Sequence, residues 1–287
     1  MQQMTSDFCT EMSVYPDSTP SRPNTLELTD TRNQQVYRIR KLADNNCWMI
    51  DNIRIDDFTL APEDSNVPDD SFTLPPAATS GASNQTQPQV WDPGGAENGT
   101  PGSASNYGYF YNYWAATAGT GAILDVGESQ GSVCPAGWRL PTGSFGGEFD
   151  GLNNLMGNDQ SQWKFTGPFS GVLGGYYSSS LNDQTVDAYY YSSTVQSSSR
   201  AFTLYFGSYL SPNDSGGKQH AFAVRCLIPG DATPVDGTTP PEVPGTGVKP
   251  REHGVVSEEY ATIGAIIVIV LVALITGRYL SMKPKGR

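Results

Sequence analysis

Basic residues are scarce in this sequence, which has 17 Lys and Arg against 29 Asp and Glu and a formal net charge of −12. Several of the basic residues are concentrated at the extreme C-terminus, so no basic face remains to neutralise phosphate groups. The composition therefore disfavours nucleic acid as a partner. It is typical of an exported protein whose acidic surface keeps it soluble.

Histidine is rarer still, with only His220 and His253, and no C-x-x-C pair is present. These absences disfavour zinc binding and thiol redox chemistry, and we expect neither a metal nor a cofactor. The cysteines are even in number, which favours two disulfides in an oxidising compartment, with buried free thiols as the alternative. Three pairings are open among Cys9, Cys47, Cys134 and Cys226.

Long apolar runs are absent except near the C-terminus, where Ala261–Gly277 is uncharged and apolar on every face. With its next residues the run can span a bilayer, which favours one transmembrane helix over 261–280 rather than a buried core helix. Glu258 and Glu259 precede it and a basic tail, 281–287, follows. The positive-inside rule predicts a cytoplasmic C-terminus and an extracellular N-terminal domain in the cell membrane, and disfavours a tail-anchored cytosolic protein.

An export leader is also missing from the start of the chain. The first 20 residues contain neither a basic segment nor an apolar segment, although a signal peptide combines both. Since the orientation above requires export, we expect the natural open reading frame to begin upstream of Met1.

A segment rich in Pro, Thr and Gly precedes the apolar run and predicts an extended stalk over residues 230–260. It contains a string that resembles the Leu-Pro-x-Thr-Gly signal cleaved by sortases, although the first position differs and the spacer is longer than usual. Membrane residence and sortase-mediated attachment to the cell wall therefore both stay open. The string consists of Val243, Pro244, Gly245, Thr246 and Gly247.

Short apolar segments separated by turns predict a β-rich domain over residues 1–229. Within Val36–Lys41 the side chains alternate as they do in a strand, after a turn at Asn33-Gln34. Residues 58–106 are rich in Pro, Asp, Ser, Asn and Gly, which predicts a long insertion loop with no core of its own. Two Tyr-Tyr-Ser-Ser repeats, at 176–179 and 190–193, predict neighbouring strands of one sheet.

One amphipathic helix is expected after the string CPAGWRLPTG. Its apolar residues recur at helical spacing, and Gly157 supplies a stop signal. We expect Trp138 to lie in the core and Arg139 to donate to backbone carbonyls. The helical positions are Phe149, Leu152, Leu155 and Met156.

Five ordered motifs resemble the Fibrobacter succinogenes major paralogous domain: the segment LTDTRNQQVYRIRKLADNNCWMIDNIRI, then YNYWAATAGTG, CPAGWRLPTG, YYYSSTV and FAVRCL. That family is similar to C-type-lectin-like folds, which implies an α+β domain with short strands, one or two helices and paired N- and C-terminal strands. The resemblance also implies disulfides joining Cys134 to Cys226 and Cys9 to Cys47. Surface location is the best-supported property of that family.

A lectin-like core suggests two candidate binding features. Carboxylate and amide oxygens that could converge on calcium are those of Asn182, Asp183, Asp187, Asn213 and Asp214. The Glu-Pro-Asn and Trp-Asn-Asp motifs of calcium-dependent lectins are absent, and Asn-Asp pairs commonly form turns. Sugar rings could instead stack on Tyr176, Tyr177, Tyr189, Tyr190 or Tyr191, although ordinary β-propensity on a half-buried sheet explains these tyrosines equally well.

Catalysis is disfavoured by the sequence. The string Arg139–Thr142 also resembles a helix entry in formylglycine-generating oxidases, but those enzymes need two reactive cysteines, and no Ser/His/Asp or paired-carboxylate pattern is present. We therefore predict an adhesin-like surface module, not an enzyme, that binds a glycan or a protein. The alternative is a structural envelope protein that packs against its neighbours and has no soluble ligand.

Overall fold

The computed structural model describes residues 2–3, 8–68 and 70–230, and in these residues sheet outweighs helix. This confirms the β-rich core and is consistent with an α+β class. The α-helices are α1 (Phe8–Glu11), α2 (Tyr113–Ala116) and α3 (Glu148–Leu155), and a 3-10 helix spans Gln160–Gln162. The strands are β1 (Gln2–Gln3), β2 (Thr25–Thr29), β3 (Val36–Lys41), β4 (Cys47–Met49), β5 (Thr59–Leu60), β6 (Phe72–Thr73), β7 (Val90–Trp91), β8 (Phe110–Tyr111), β9 (Gly127–Glu128), β10 (Tyr176–Tyr177), β11 (Leu181–Asn182), β12 (Ala188–Ser197), β13 (Arg200–Phe206), β14 (Leu210–Gly217) and β15 (Leu227–Ile228).

The first sheet has the strand order β1-β2-β3-β4-β15. Along β3, Tyr37, Ile39 and Lys41 are buried while the intervening side chains are partly exposed, so the predicted alternation is confirmed. The last strand, β15, runs antiparallel to β4 and places Leu227 opposite Trp48. The C-terminal end of the domain thus joins its N-terminal sheet, as the family resemblance implies.

The second sheet has the order β14-β13-β12-β9 and carries the longest strands. A two-residue turn at Ser198-Ser199 connects β12 to β13. The edge strand β14 contains Pro212, which an edge tolerates because its outer side needs no ladder hydrogen bond. Asn213 and Asp214 lie inside this strand, so the interpretation of that pair as a turn is wrong.

Two disulfides staple the domain. Cys9 in α1 bonds to Cys47 in β4, and Cys134 bonds to Cys226, each pair with Cα atoms 5.8 Å apart. All four residues are fully buried. The pairing implied by the family resemblance is therefore confirmed.

Helix α3 buries Phe149 and Leu152 and ends just before Gly157, which has a φ of +75°, so the predicted helix and its stop signal are confirmed. Leu155 differs from the expectation because it is 60% exposed. Asn153 takes the inward position instead, where its Oδ1 accepts from Trp163 Nε1 at 3.0 Å.

The entry to α3 is a closed network. Thr142 Oγ1 accepts from the Glu148 N–H at 2.9 Å, and Glu148 Oε2 accepts from the Thr142 N–H at 2.9 Å. Arg139 donates to both oxygens of Glu148, at 2.6 and 2.7 Å, besides one backbone carbonyl, so its main partner is a carboxylate and not the backbone. Trp138 lies in the core, as predicted, against Phe8.

Residues 58–106 depart from the predicted coreless loop. The segment is largely irregular, but three two-residue strands occur in it, and Leu60, Leu74 and Trp91 are completely or almost completely buried. Two buried polar residues outside the segment hold it. Asp51 accepts from the backbone of Gly102 and the side chain of Asn106, and Asn112 bonds to three backbone groups between 84 and 89.

None of the described helices has the length and apolar character that a bilayer crossing requires. The predicted transmembrane helix (261–280) and basic tail (281–287), the string VPGTG and nearly all of the stalk (230–260) lie outside the described residues. They stay predictions.

Candidate functional site

The five candidate tyrosines divide into a buried group and a half-buried group. Tyr177, Tyr190 and Tyr191 are at most 5% exposed, whereas Tyr176 and Tyr189 are partly exposed. A buried ring cannot stack on a sugar, so the expectation of a surface formed by all five is wrong. Three of them are core residues.

The buried tyrosines have internal partners for ring and hydroxyl. Tyr190 packs edge-on against Phe169, at 5.6 Å between ring centroids, and its hydroxyl lies 3.2 Å from the Val172 N–H that donates to it. Tyr191 donates to backbone carbonyls, among them that of His220 at 2.8 Å. Tyr177 stacks on a buried tryptophan. These contacts fix the core rather than a ligand.

The two Tyr-Tyr-Ser-Ser repeats are not neighbours in one sheet, contrary to the prediction. Strand β10 pairs with β11, and β12 pairs with β13 and β9. The segment 221–223 runs beside both, because Ala221 bridges to Tyr177 and Ala223 bridges to Tyr190. This crossing segment covers the tyrosines that the repeat pattern placed on a surface.

Tyr176 and Tyr189 lie together at one depression of about 190 Å³. We call it the tyrosine pocket. Its floor includes the backbone at Gly216, where a Cβ atom would lie 2.1 Å from the Phe222 ring, so only glycine fits there. The side chains that line the pocket are Tyr176, Tyr189, Arg200, Ser215, His220 and Phe222.

The aromatic wall of the pocket is internally packed. The ring of Tyr176 meets those of Tyr189 at 5.2 Å and His220 at 5.3 Å, and Tyr189 stacks on Phe222 at 5.2 Å. Aromatic pairs at such separations are mutually stabilising. The wall is therefore preorganised, with little side-chain freedom left to lose when a ligand binds.

The polar side of the pocket is formed by Arg200, Ser215 and His220. Arg200 donates through Nε to Ser215 Oγ at 3.1 Å and through Nη2 to the Ser215 carbonyl. Burial, and then the charge of Arg200, lower the pKa of His220. Burial raises the pKa of Tyr189, with Asp187 adding to the effect, so its hydroxyl keeps its proton at neutral pH.

The calcium candidates are dispersed, and the carboxylate of Asp187 is occupied by other partners. Asp187 is buried and accepts from the Tyr205 hydroxyl at 2.9 Å and from the backbone and hydroxyl of Ser208. Asn213 donates to Asp150 of α3 at 3.0 Å. Asn182 donates to Ser178 and Ser180 across the turn between β10 and β11, and Asp183 follows β11. Among the described residues, no group of three or more His, Cys, Asp or Glu is placed to hold a metal ion.

A second depression, of about 290 Å³, lies beside Glu128 and Arg139. The Glu128 carboxylate accepts from the hydroxyls of Ser193 at 2.6 Å and Thr194 at 2.7 Å. Arg139 is paired with Glu148. The charged groups of this second depression, Glu128 and Arg139, are thus already bonded to protein partners. The second depression is therefore a weaker binding candidate than the tyrosine pocket.

Sequence reasoning missed Arg200, Ser215, His220 and Phe222. Two weak signals were present: Arg200 follows a run of three serines with no other charge nearby, and His220 is one of only two histidines in the chain. Neither signal gives a position relative to Tyr176. The proximity of these four residues to Tyr176 depends on the long-range crossing of segment 221–223.

All four cysteines are in disulfides. Comparisons with family models, curated proteins and solved structures found no match for the chain. The tyrosine pocket consequently has to be interpreted from its own chemistry.

Proposed function

We propose that this chain is the binding module of a bacterial cell-surface protein and that it holds a sugar ring in the tyrosine pocket. The observation that carries the proposal is the pairing of half-buried Tyr176 and Tyr189 with the polar groups of Arg200, Ser215 and His220. Rigid tyrosines supply contact area at low entropic cost, and the polar groups supply donors for hydroxyls. At about 190 Å³ the pocket is smaller than the ~300–1,000 Å³ of sites for drug-sized ligands, which suits a single ring.

The surface location is supported by composition and by covalent structure. Two buried disulfides persist in oxidising compartments and are rare in the cytosol. The net charge of −12 suits an exported surface. We propose that the segment 261–280 anchors the chain in the membrane with residues 281–287 in the cytoplasm. Cleavage between Thr246 and Gly247 by a sortase is the alternative, and the C-terminal mass of the mature protein distinguishes them.

The core is proposed to be C-type-lectin-like and to belong with the paralogous domain named above. Three features support this: β15 pairs with β4, helix α3 follows the Arg139–Thr142 string, and Cys134 is bonded to Cys226. An experimental structure checks the relationship. A different strand order in the first sheet would contradict it.

The binding proposal is tested with the purified full-length chain on a glycan panel, with and without calcium. Tyr176→Ala and Tyr189→Ala should each weaken binding by up to about tenfold, on the scale of an aromatic contact of about 0.5–1.5 kcal/mol. Tyr209→Ala is the matched control, because this tyrosine is 57% exposed and does not line the pocket. Tyr190→Ala is unsuitable because it removes a core residue.

The structural envelope role is the second candidate function. It is favoured by three exposed apolar side chains away from the tyrosine pocket, which suit contact with a second copy: Ile123 at 82%, Val126 at 71% and Phe145 at 86%. Absence of binding to every glycan, together with self-association that Phe145→Ser abolishes, would favour this role. Glycan binding that survives both pocket variants would place the site elsewhere on the domain.

A further inference from the structure

Arg200 is the one cationic side chain that lines the tyrosine pocket, and no carboxylate lines it, within the described part of the chain. This is unusual in a protein with 29 acidic residues against 17 basic ones. Asp187, whose charge acts on Tyr189, accepts hydrogen bonds from Tyr205 and Ser208 and does not line the pocket. The pocket is therefore locally suited to an anion although the chain as a whole is acidic.

The guanidinium of Arg200 is held in place on one side and open on the other. Its Nε and Nη2 atoms donate to Ser215, and the described residues provide no hydrogen-bond acceptor for Nη1. The side chain is exposed. A planar guanidinium with a free edge binds a carboxylate through two parallel hydrogen bonds, and anchoring by Ser215 reduces the rotamer freedom lost in doing so.

His220 is a second nitrogen-bearing side chain in the lining of the tyrosine pocket. Its Nε2 atom lies 3.4 Å from the side-chain amide nitrogen of Gln219, and its ring packs against Tyr176. Together, Arg200 and His220 place hydrogen-bonding groups beside an aromatic wall. That combination matches a ring with one apolar face and a charged substituent at its edge.

We infer that the tyrosine pocket selects a pyranose that carries a carboxylate, with Arg200 as the group that receives the carboxylate. This inference rests on the proposed function and specifies its ligand class. Tyr176 and Tyr189 contact the ring, and Ser215 is a positioning residue for the guanidinium. An uncharged sugar of the same shape keeps the aromatic contacts and the hydroxyl hydrogen bonds but lacks the pairing of a carboxylate with Arg200.

The test compares matched probes by calorimetry on the full-length chain: methyl β-D-glucuronide and methyl α-D-galacturonide against the corresponding glucoside and galactoside. The acidic probes should bind about tenfold more tightly, as a solvent-exposed, two-bond pairing of a carboxylate with a guanidinium provides. Their advantage should shrink with added salt because the pair is exposed. Arg200→Gln should abolish the advantage, because it weakens binding of the acidic probes about tenfold more than binding of the neutral probes.

Arg22→Gln is the matched control. Arg22 is an exposed arginine that also donates two hydrogen bonds, to the carbonyls of Glu11 and Thr10, and does not line the pocket. The variant removes the same charge from the chain and should keep the preference for acidic probes. If it loses that preference, net charge and not Arg200 explains the selectivity, and the inference is overturned.

The remaining outcomes separate this inference from the proposed function. Equal affinity for acidic and neutral sugars, lost in Tyr176→Ala, overturns the inference while the binding function stands. Sodium acetate or sodium sulfate binding as tightly as the glucuronide shows a plain anion site and overturns the role of the ring. No binding of any sugar overturns both.

Discussion

The guanidinium of Arg225 lies over the ring of Tyr190, 5.1 Å from its centroid, and both side chains are fully buried. Arg225 has no carboxylate partner among the described residues. It donates instead to Asn52 Oδ1 at 2.7 Å, to the Ser170 carbonyl at 2.9 Å and to the Phe169 carbonyl. One buried cation thus contacts β12 and two further segments, at Asn52 and at Phe169-Ser170.

Replacing that cation should be strongly destabilising. Arg225→Met removes all three hydrogen bonds and leaves buried oxygens unpaired, which should lower the free energy of unfolding by about 3 kcal/mol or more. Urea denaturation with the disulfides intact measures this change. Arg22→Met, on the surface, should cost under ~1 kcal/mol. Equal midpoints for the two variants would show that the Arg225 network contributes little.

Asp44 predicts a pH dependence of stability. Burial raises the pKa of its carboxyl from 3.8 to about 6, although Trp48 Nε1 donates to it at 2.9 Å. A raised folded-state pKa stabilises the fold fully below the unfolded value, and this contribution is lost as pH rises through the folded value. The free energy of unfolding should therefore fall by about 2 kcal/mol between about pH 4 and pH 7 through this group.

Asp44→Asn tests that assignment. The amide keeps one acceptor for Trp48 and does not ionise, so the part of the decrease between pH 4 and pH 7 that comes from this group should disappear. Asp17→Asn, at an exposed position, should keep the parent profile. Thermal unfolding at a series of pH values measures both. An unchanged profile in Asp44→Asn would assign the dependence to other groups.

The coupling between Arg200 and His220 can be measured directly. Burial and the neighbouring guanidinium lower the pKa of His220 below its ordinary value of 6.5. In Arg200→Gln one of these causes is gone, so the pKa should rise while staying below 6.5. NMR titration of the imidazole protons reports it, with His253→Ala assigning the other histidine. A pKa that does not move would place the guanidinium away from the ring.

The two disulfides should differ in their contribution to stability. Their cysteines are 92 and 38 residues apart, and loop-closure entropy gives about 5 kcal/mol for Cys134–Cys226 and about 4 kcal/mol for Cys9–Cys47. Replacing both cysteines of a pair by alanine should therefore cost about 1 kcal/mol more for the longer loop. Denaturation of the two double variants measures the difference, and the reverse order would contradict the entropic account. Peptide mapping without reduction checks the pairing.

Local features of the fold were predictable from the sequence, because each depends on residues close in the chain. Strand β3 shows its alternation within six residues, and α3 shows helical spacing from Phe149 followed by Gly157. Leu155 was misplaced because it lies at the last turn, where helical spacing no longer determines burial. The disulfide pairing came from family resemblance and not from spacing.

The tyrosine pocket could not be predicted in the same way. Tyrosine suits both a core and a surface, so the pattern of β12 does not say which face is covered. Segment 221–223 decides it, through contacts with residues more than 30 positions earlier. The ordered structure of residues 58–106 was not predictable for a similar reason. The residues that hold this segment, Asp51 and Asn112, lie outside it.

Strand β15 makes two residue pairs with β4, and it begins immediately after the disulfide-bonded Cys226. A force applied to the chain beyond Gly230 therefore separates β15, a very short strand, from β4. The Cys134–Cys226 disulfide then resists further extension. The slack released is roughly 14 Å, for four residues at about 3.5 Å each. Every residue lining the tyrosine pocket lies between Cys134 and Cys226, so tension reaches the pocket through a closed covalent loop, without first unravelling β2 or β3.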